Sequence, residues 1–358
     1  MRADVRRLFL LVPSFVSTGP VRGAVALANA LAGERDVTVV ALKGGRDVAG
    51  WLERGVGHVS LERESWPGRI RAYRNLLKDA GGKARVASIS CCLSADFVNA
   101  RCRDVAVTCA SVRGNLLVNY RMDYGRAGAP VAMWHLRSLR RLDHVVAMTH
   151  AMAAQVEAYT GRPPSVIGNF VDEAPLEKYR RAAAPVTGAL RFAFVGSLSD
   201  RKQPMLVVDA IHALRAAGHD VHLDVVGDGP LRGPISERIA RLGLERSVAL
   251  HGHVDRPYPI VANADVMTLP SLSEGIPRAA LEALYLGVPC VLRAVDGHAE
   301  LIESQRQGAL FSRDADLPAA MEGAARRARH DASRAESLLP ARYRQAPAAR
   351  EYLALVER

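Results

Sequence analysis

No stretch of this 358-residue chain approaches the roughly 20 consecutive apolar residues that a membrane-spanning helix needs. The run Leu8-Phe9-Leu10-Leu11-Val12 follows a basic start, but it is short, Pro13 interrupts it, and no convincing small-residue cleavage site follows. A first buried strand therefore explains it better than a leader. Cysteine is also scarce. Cys91, Cys92, Cys102, Cys109 and Cys290 are odd in number and lack zinc spacing, which argues against a disulfide framework and against a Cys/His metal site. They are expected to be small buried residues in a reducing cytosol. No internal repeat at a fixed period is present.

What is present suits two ordinary cores. Hydrophobic residues make up 49% and charged residues 24%, proportions of a folded globular protein, and the length accommodates two domains. The formal net charge of +11 favours acidic partners such as nucleotide phosphates or anionic lipid headgroups, without bearing on fold.

Short apolar runs alternate with helical patterns, the signature of a parallel sheet covered on both faces, and so of an α/β protein. Strands are expected at Leu8–Val12, Val37–Ala41, Val86–Ser90, Val105–Thr108 and His144–Met148, then at Arg191–Val195, Val221–Val226, Val248–His251, Val266–Leu269 and Pro289–Arg293. Helices are expected at Gly23–Ala32, Met205–Ala217, Ile235–Leu242, Pro277–Leu286, Glu300–Gln305 and Ala348–Arg358, with a solvated helical region over Ala319–Arg350. Residues 173–188, rich in Ala, Pro and charge, read as a linker.

Three blocks carry chemistry. The first is Ser271-Leu272-Ser273-Glu274-Gly275-Ile276-Pro277-Arg278-Ala279-Ala280-Leu281-Glu282, ahead of Gly287-Val288-Pro289. A strand ends at Leu269, a loop presents Glu274 at the carboxyl edge of the sheet, and Pro277 suits the first turn of a helix. The N–H groups of Arg278, Ala279 and Ala280 then form an anion site for a diphosphate. Glu282, further along, is positioned for vicinal ribose hydroxyls, and Glu274 for sugar hydroxyls. The second block, Phe194-Val195-Gly196-Ser197-Leu198-Ser199-Asp200-Arg201-Lys202, sets two cations before a helix, where they neutralise a departing diphosphate. The third, Gly227-Asp228-Gly229-Pro230-Leu231-Arg232-Gly233, departs from the dinucleotide fingerprint in its third glycine and is expected to be a tight strand-to-helix turn.

In this order the blocks resemble glycosyltransferase family four (glycosyl transferases group one), over about residues 5–310 and most strongly from 190 to 302. His251-Gly252-His253-Val254, Asp296-Gly297-His298-Ala299-Glu300 and Val166-Ile167-Gly168-Asn169 extend the likeness. The resemblance implies the GT-B fold, two Rossmann-like domains with parallel sheets facing across a deep cleft. Residues 1–175 would form an N-terminal acceptor-binding domain, with a C-terminal helix at about 345–358 packing back on it, and residues 186–340 the donor-binding domain. It assigns the diphosphate to Arg201 and Lys202, the transferred sugar to Glu274 and the ribose to Glu282. Further donor contacts fall to Gly19, Gly196, Gly227, Gly275, Ile276, Pro277, Arg278, Ala279 and Ala280.

Two departures stand out. Ser197 occupies a position where the family commonly has arginine, which leaves more of the charge to Arg201 and Lys202. No histidine ends the fourth N-terminal strand, and Ser111, Arg113, Asn115 and His150 are the candidates for acceptor or sugar contact. The pair Asp314-Ala315-Asp316 lies in a late polar segment, so no metal and no separate cofactor are expected. On the acceptor side, Arg63, Arg69, Arg71, Arg74, Lys78, Lys83 and Arg85, with Trp51 and Trp66 nearby and Arg137, Arg140 and Arg141 adding to the charge before the fifth strand, offer either a solvated helix face or a peripheral contact with an anionic membrane. Nucleic acid is not expected as a partner.

The expectation is a cytoplasmic enzyme, placed where it can meet the inner face of the cell membrane. It would move a hexose or N-acetylhexosamine with retention from a nucleotide diphosphate sugar, with uridine as the base, to a sugar, lipid-linked or small-molecule hydroxyl acceptor. Lipopolysaccharide or cell-envelope polysaccharide assembly is the expected context. A natural-product glycosyltransferase, a nucleotide-sugar epimerase of the same fold and a non-catalytic nucleotide-sugar-binding subunit are the alternatives.

Overall fold

The computed structural model describes residues 5–45, 49–180, 188–331, 333 and 335–358. The chain splits into two compact units: Met1–Asp172 together with Ala341–Arg358, and Glu173–Pro340. Each is a parallel sheet covered by helices.

The sheet of the first unit holds β1 (Arg7–Ser14), β2 (Asp36–Lys43), β3 (Gly57–Ser60), β4 (Val86–Ser90), β5 (Val107–Val112), β6 (His144–Ala147) and β7 (Ser165–Val166). Their spatial order is β3-β2-β1-β4-β5-β6-β7. Alternation along β1 builds two cores at once, because successive side chains leave opposite faces of a strand. Leu8, Leu10 and Val12 join Val25 and Leu27 of the helix Gly19–Leu31 and Tyr352 and Val356 of the terminal helix Gln345–Val356. Phe9 and Leu11 join Tyr73 and Leu77 of the helix Trp66–Asp79 and Val98 of the helix Leu93–Asn99. A strand buried on both faces reads as a continuous apolar run, which is why β1 stands out in the sequence.

The second unit holds β8 (Leu190–Val195), β9 (Val221–Val226), β10 (Val248–Gly252), β11 (Val266–Leu269), β12 (Cys290–Arg293) and β13 (Gly308–Phe311), in the order β10-β9-β8-β11-β12-β13. The winding reverses between β8 and β11. In open α/β sheets that reversal opens a crevice beyond the carboxyl ends of the two strands, and there ligands bind.

Several sequence expectations give way. The strands β3, β7 and β13 are additional. The strand expected at Val105–Thr108 forms two residues later, since the Val105 N–H closes a turn onto the Cys102 carbonyl. No helix forms over Glu300–Gln305: the Gln307 side chain accepts the N–H groups of Glu303 and Ser304, at 2.7 and 3.0 Å, and holds the segment as a turn. The region Ala319–Arg350 is not one solvated helix. The helix Leu317–His330 buries Met321, Ala324, Ala325 and Ala328, and a separate helix starts at Gln345. Of the expected linker, residues 174–177 form a short helix in the second unit, and residues 181–187 lie outside the described residues. All five cysteines are unpaired and four are buried, and burial pushes the Cys102 thiol up to about 12. Among the described residues no helix is long and apolar enough to cross a membrane.

Candidate functional site

The crevice of the second unit is lined by the two segments that leave β8 and β11. After β8 the chain turns at Gly196 and makes a short 3-10 turn, Asp200–Lys202, before the helix Pro204–Ala216. The turn after β9 packs directly behind it. Gly227 has φ of 140°, and a Cβ there would run into the carbonyl oxygen of Gly196. Only glycine fits. Gly196 is under no such demand, since a Cβ on it would meet side-chain atoms at 3.6 Å or more.

After β11, residues 270–277 form the facing loop. The Arg201 carbonyl accepts the Leu272 N–H at 2.8 Å, and the Arg201 guanidinium donates to the Ser273 carbonyl at 3.0 Å, so the two segments are stitched together. Asp296, at φ of 39°, supports the loop from below. Its Oδ2 accepts both the Ser273 hydroxyl, at 2.7 Å, and the Glu274 N–H, at 3.2 Å. Glu274 is thereby pointed at the cations. Its Oε1 forms an ion pair with the Lys202 ammonium and stands 3.6 Å from Arg201 Nη1.

Glu274 is 9% exposed. Burial alone would raise its pKa, but the charges of Lys202 and Arg201 outweigh that and hold the carboxyl below its ordinary value. His298, fully buried nearby, responds in the complementary way: desolvation lowers its pKa, against the pull of the Glu274 charge. Its Nδ1 lies 2.8 Å from the Arg293 carbonyl, which can only accept. The proton therefore sits on Nδ1, and Nε2 carries a bare lone pair.

The helix Arg278–Tyr285 starts one residue later than expected. Pro277 is its N-cap, in an extended conformation, and not its first turn. The Pro277 carbonyl accepts the Ala280 N–H at 3.1 Å, so of the three N–H groups expected to face an anion, that of Ala280 is already bonded. Arg278 and Ala279 begin the helix at the crevice, with buried Gly275 and Ile276 just before it. Glu282, 3% exposed, lies 3.4 Å from the Arg278 guanidinium one turn back. The pair Asp314 and Asp316 is occupied by arginines: Asp314 accepts from Arg293, and Asp316 from Arg313, each at 2.7 Å.

The structure thus brings Arg201, Lys202 and Glu274 together and sets Gly196, Gly227, Gly275–Ala280 and Glu282 around them, all in the second unit. Asp296, Ser273 and His298 are contributors to which no role falls on sequence grounds. The signal available was an Asp-Gly-His run just after a strand, which suits a left-handed turn.

The remaining candidates belong to the first unit. Gly19 begins its first long helix, with open space where a Cβ would be. Ser111 is 1% exposed and shares a hydrogen bond of 2.7 Å with Tyr352, so it serves the core. Arg113 donates to Asn169 at 3.0 Å. Asn115 caps the helix Leu116–Tyr124, accepting from the Val118 N–H at 3.2 Å and from Gln155 at 2.6 Å. His150 is exposed at the start of the helix His150–Thr160.

Comparison with known proteins finds similarity in the same unit. The family model described as glycosyl transferases group 1 matches residues 189–331. A 2-deoxystreptamine glucosyltransferase of Streptomyces kanamyceticus is 29% identical over 173 residues, 45% of each chain. A Campylobacter jejuni N-acetyl-D-galactosaminyltransferase, named for a PP-undecaprenol-linked saccharide, is 22% identical over 87% of this chain and 86% of its own length. The chain spans less than half the length of several curated relatives it matches. Among solved structures, HepE of Anabaena in complex with UDP and glucose superposes with a TM-score of 0.77 at 18% identity, over 98% of this chain and 99% of its own, a likeness of fold. The two doubly wound parallel sheets are those of the GT-B fold, and the second unit carries the match to the glycosyl transferases group 1 family.

Proposed function

We propose that the chain is a retaining glycosyltransferase that takes a hexose or N-acetylhexosamine from a nucleotide diphosphate sugar, with UDP as the carrier, to a hydroxyl acceptor. The observation that carries this reading is the buried Glu274 set against Lys202 and Arg201 at the switch point of the second sheet. The structure of HepE holds UDP, and that supports uridine as the base.

In this reading the donor diphosphate takes Lys202 and Arg201 as its counter-charges, beside the positive end of the helix Arg278–Tyr285. Glu274, released from Lys202, accepts hydroxyls of the transferred sugar. Its carboxyl stays ionised at neutral pH because the cations depress its pKa, and it can only accept. Glu282 accepts the ribose hydroxyls in place of Arg278. As the bond between the anomeric carbon and the phosphate oxygen breaks, negative charge develops on the diphosphate. The two cations stabilise it there, in a partly dry crevice where such contacts are strong. They supply the charge a divalent ion would otherwise bring, so turnover should survive chelation.

A PP-undecaprenol-linked saccharide in the name of one relative supports cell-envelope assembly as the context, and the 2-deoxystreptamine relative supports a small natural-product acceptor as the second reading. The deciding experiment is calorimetric titration of the purified chain with UDP, GDP, ADP and their glucose conjugates in EDTA, repeated with Glu282→Ala and Lys202→Ala. One diphosphate nucleotide is expected to bind at micromolar concentration. Each variant should weaken it at least tenfold, since each removes a charged contact of about 1.5–3 kcal/mol. Binding unchanged in both variants would remove the site assignment.

A further inference from the structure

The sequence offers the basic segment 63–85, with Trp51 and Trp66, as a face to meet a membrane, but much of that charge is committed elsewhere. Arg74 pairs with Asp104 at 2.6 Å, Arg69 donates to the carbonyls of Leu61 and Glu62, and Lys83 donates to the carbonyl of Arg103. Trp51 is half-buried under the Arg22 guanidinium, 4.5 Å from its ring centre. Trp66 is different. Its ring leads a continuous aromatic row, 5.9 Å to Phe97 and then 5.4 Å to Trp134, contributed by three helices: Trp66–Asp79, Leu93–Asn99 and Gly128–Ser138.

Singly scattered exposed apolar side chains need no explanation, but a connected row does. Trp66 is 39% exposed and Trp134 48%, and the Arg101 guanidinium lies over the Phe97 ring at 3.4 Å. The row is also held in place from behind. Asp96 and His135, the residues just before Phe97 and just after Trp134, are buried and joined by a 2.8 Å hydrogen bond, and Tyr120 meets the other His135 nitrogen at 2.9 Å. That internal clamp fixes the two helices whose outer sides carry the aromatic rings. Leading into the helix of Trp134, residues 121–127 are all exposed and include Met122 and Tyr124. From 121 to 141 the chain has five arginines against one acid, Asp123, a net charge of five minus one, or +4; Arg140 donates to the Tyr159 carbonyl, and Arg121, Arg126, Arg137 and Arg141 are exposed.

We propose that this aromatic row and its arginines are a docking surface for an anionic lipid bilayer. Trp and Tyr settle at the level of lipid headgroups, where one side of the ring is apolar and the other wet, and guanidinium groups nearby meet lipid phosphates. A saccharide platform would share the aromatic rings but would gain little from a net +4 segment, and charge complementarity decides for the bilayer. The surface lies wholly within the first unit and stands whether or not the donor reading holds.

The test uses the intact chain with vesicles of phosphatidylglycerol and phosphatidylcholine in equal parts, against phosphatidylcholine alone, read by co-sedimentation and tryptophan emission. Binding to the anionic vesicles only, with a blue shift and marked weakening from 0.1 to 1 M salt, is expected. The double variant Trp66→Ser/Trp134→Ser should lower partitioning at least tenfold, while Trp51→Phe leaves it unchanged. A far-ultraviolet circular dichroism spectrum and a thermal melt of every variant show that it is folded. A folded chain that ignores anionic vesicles overturns the inference, as does binding undiminished in the double variant. A shift of the same emission by maltoheptaose without vesicle binding would also overturn it, and give the row to a saccharide.

Discussion

The pairing of Lys202 with Glu274 means that each neutralises the other while the crevice holds no anion. Glu274→Gln should therefore have opposite effects on two ligands. UDP should bind several-fold more tightly, because Lys202 and Arg201 face a neutral amide. Turnover of the nucleotide sugar should fall at least tenfold, because an ionised acceptor for sugar hydroxyls is lost. Calorimetry with UDP and a turnover assay with the sugar donor separate the two. Equal weakening of both would show that Glu274 only shapes the loop.

His298 makes a prediction in pH. Its folded pKa lies below the ordinary value near 6.5, so between the two the unfolded chain binds more protons, and stability rises as pH rises through that window. His298→Asn keeps a donor for the Arg293 carbonyl but takes up no proton. The difference in melting temperature between pH 5.5 and 7.5 should shrink in that variant. A difference as large as the parent's would place the titration elsewhere.

At the scale of elements, the two glycine turns behind the site make contrasting demands. Gly227→Ala forces a side chain into the Gly196 carbonyl at a left-handed φ. It should cost at least about 2 kcal/mol, and Gly196→Ala much less, as read from denaturant midpoints. This contrast was not legible beforehand, because both glycines look alike as turn residues. What was legible followed burial: β1 carries a continuous apolar run, β4 and β11 are buried throughout, β9 alternates apolar and polar residues, and Glu274 follows β11. The strand β3 was missed because its four residues are mostly exposed at the sheet edge, and β7 because it is two residues long. The helix expected over 300–305 failed through one side chain, Gln307, whose oxygen takes the nearby Glu303 and Ser304 N–H groups while its amide donates to the distant Leu338 carbonyl. The roles of Asp296 and Ser273 were hidden for the same reason: a carboxylate that bridges two segments leaves no periodicity to find.

At the scale of the whole molecule, two separate cores should report separately. UDP at a hundred times its dissociation constant stabilises only the unit that binds it, by about 2.7 kcal/mol. Scanning calorimetry should show the second unit's transition moving and the first unit's staying in place. Removal of residues 341–358 should do the reverse. It strips Tyr352, Leu353 and Val356 from the core of the first unit, yet UDP binding should persist. Loss of UDP binding on that truncation would show the second unit to depend on the first.

The same division sets an order of manufacture. The second unit is an insertion between Asp172 and Ala341, and the first unit closes only with the helix Gln345–Val356. On a ribosome, residues 173–340 are complete while the first sheet still lacks that helix over Leu8, Leu10 and Val12. The second unit can thus mature early, and the first waits with part of its core uncovered until that helix emerges.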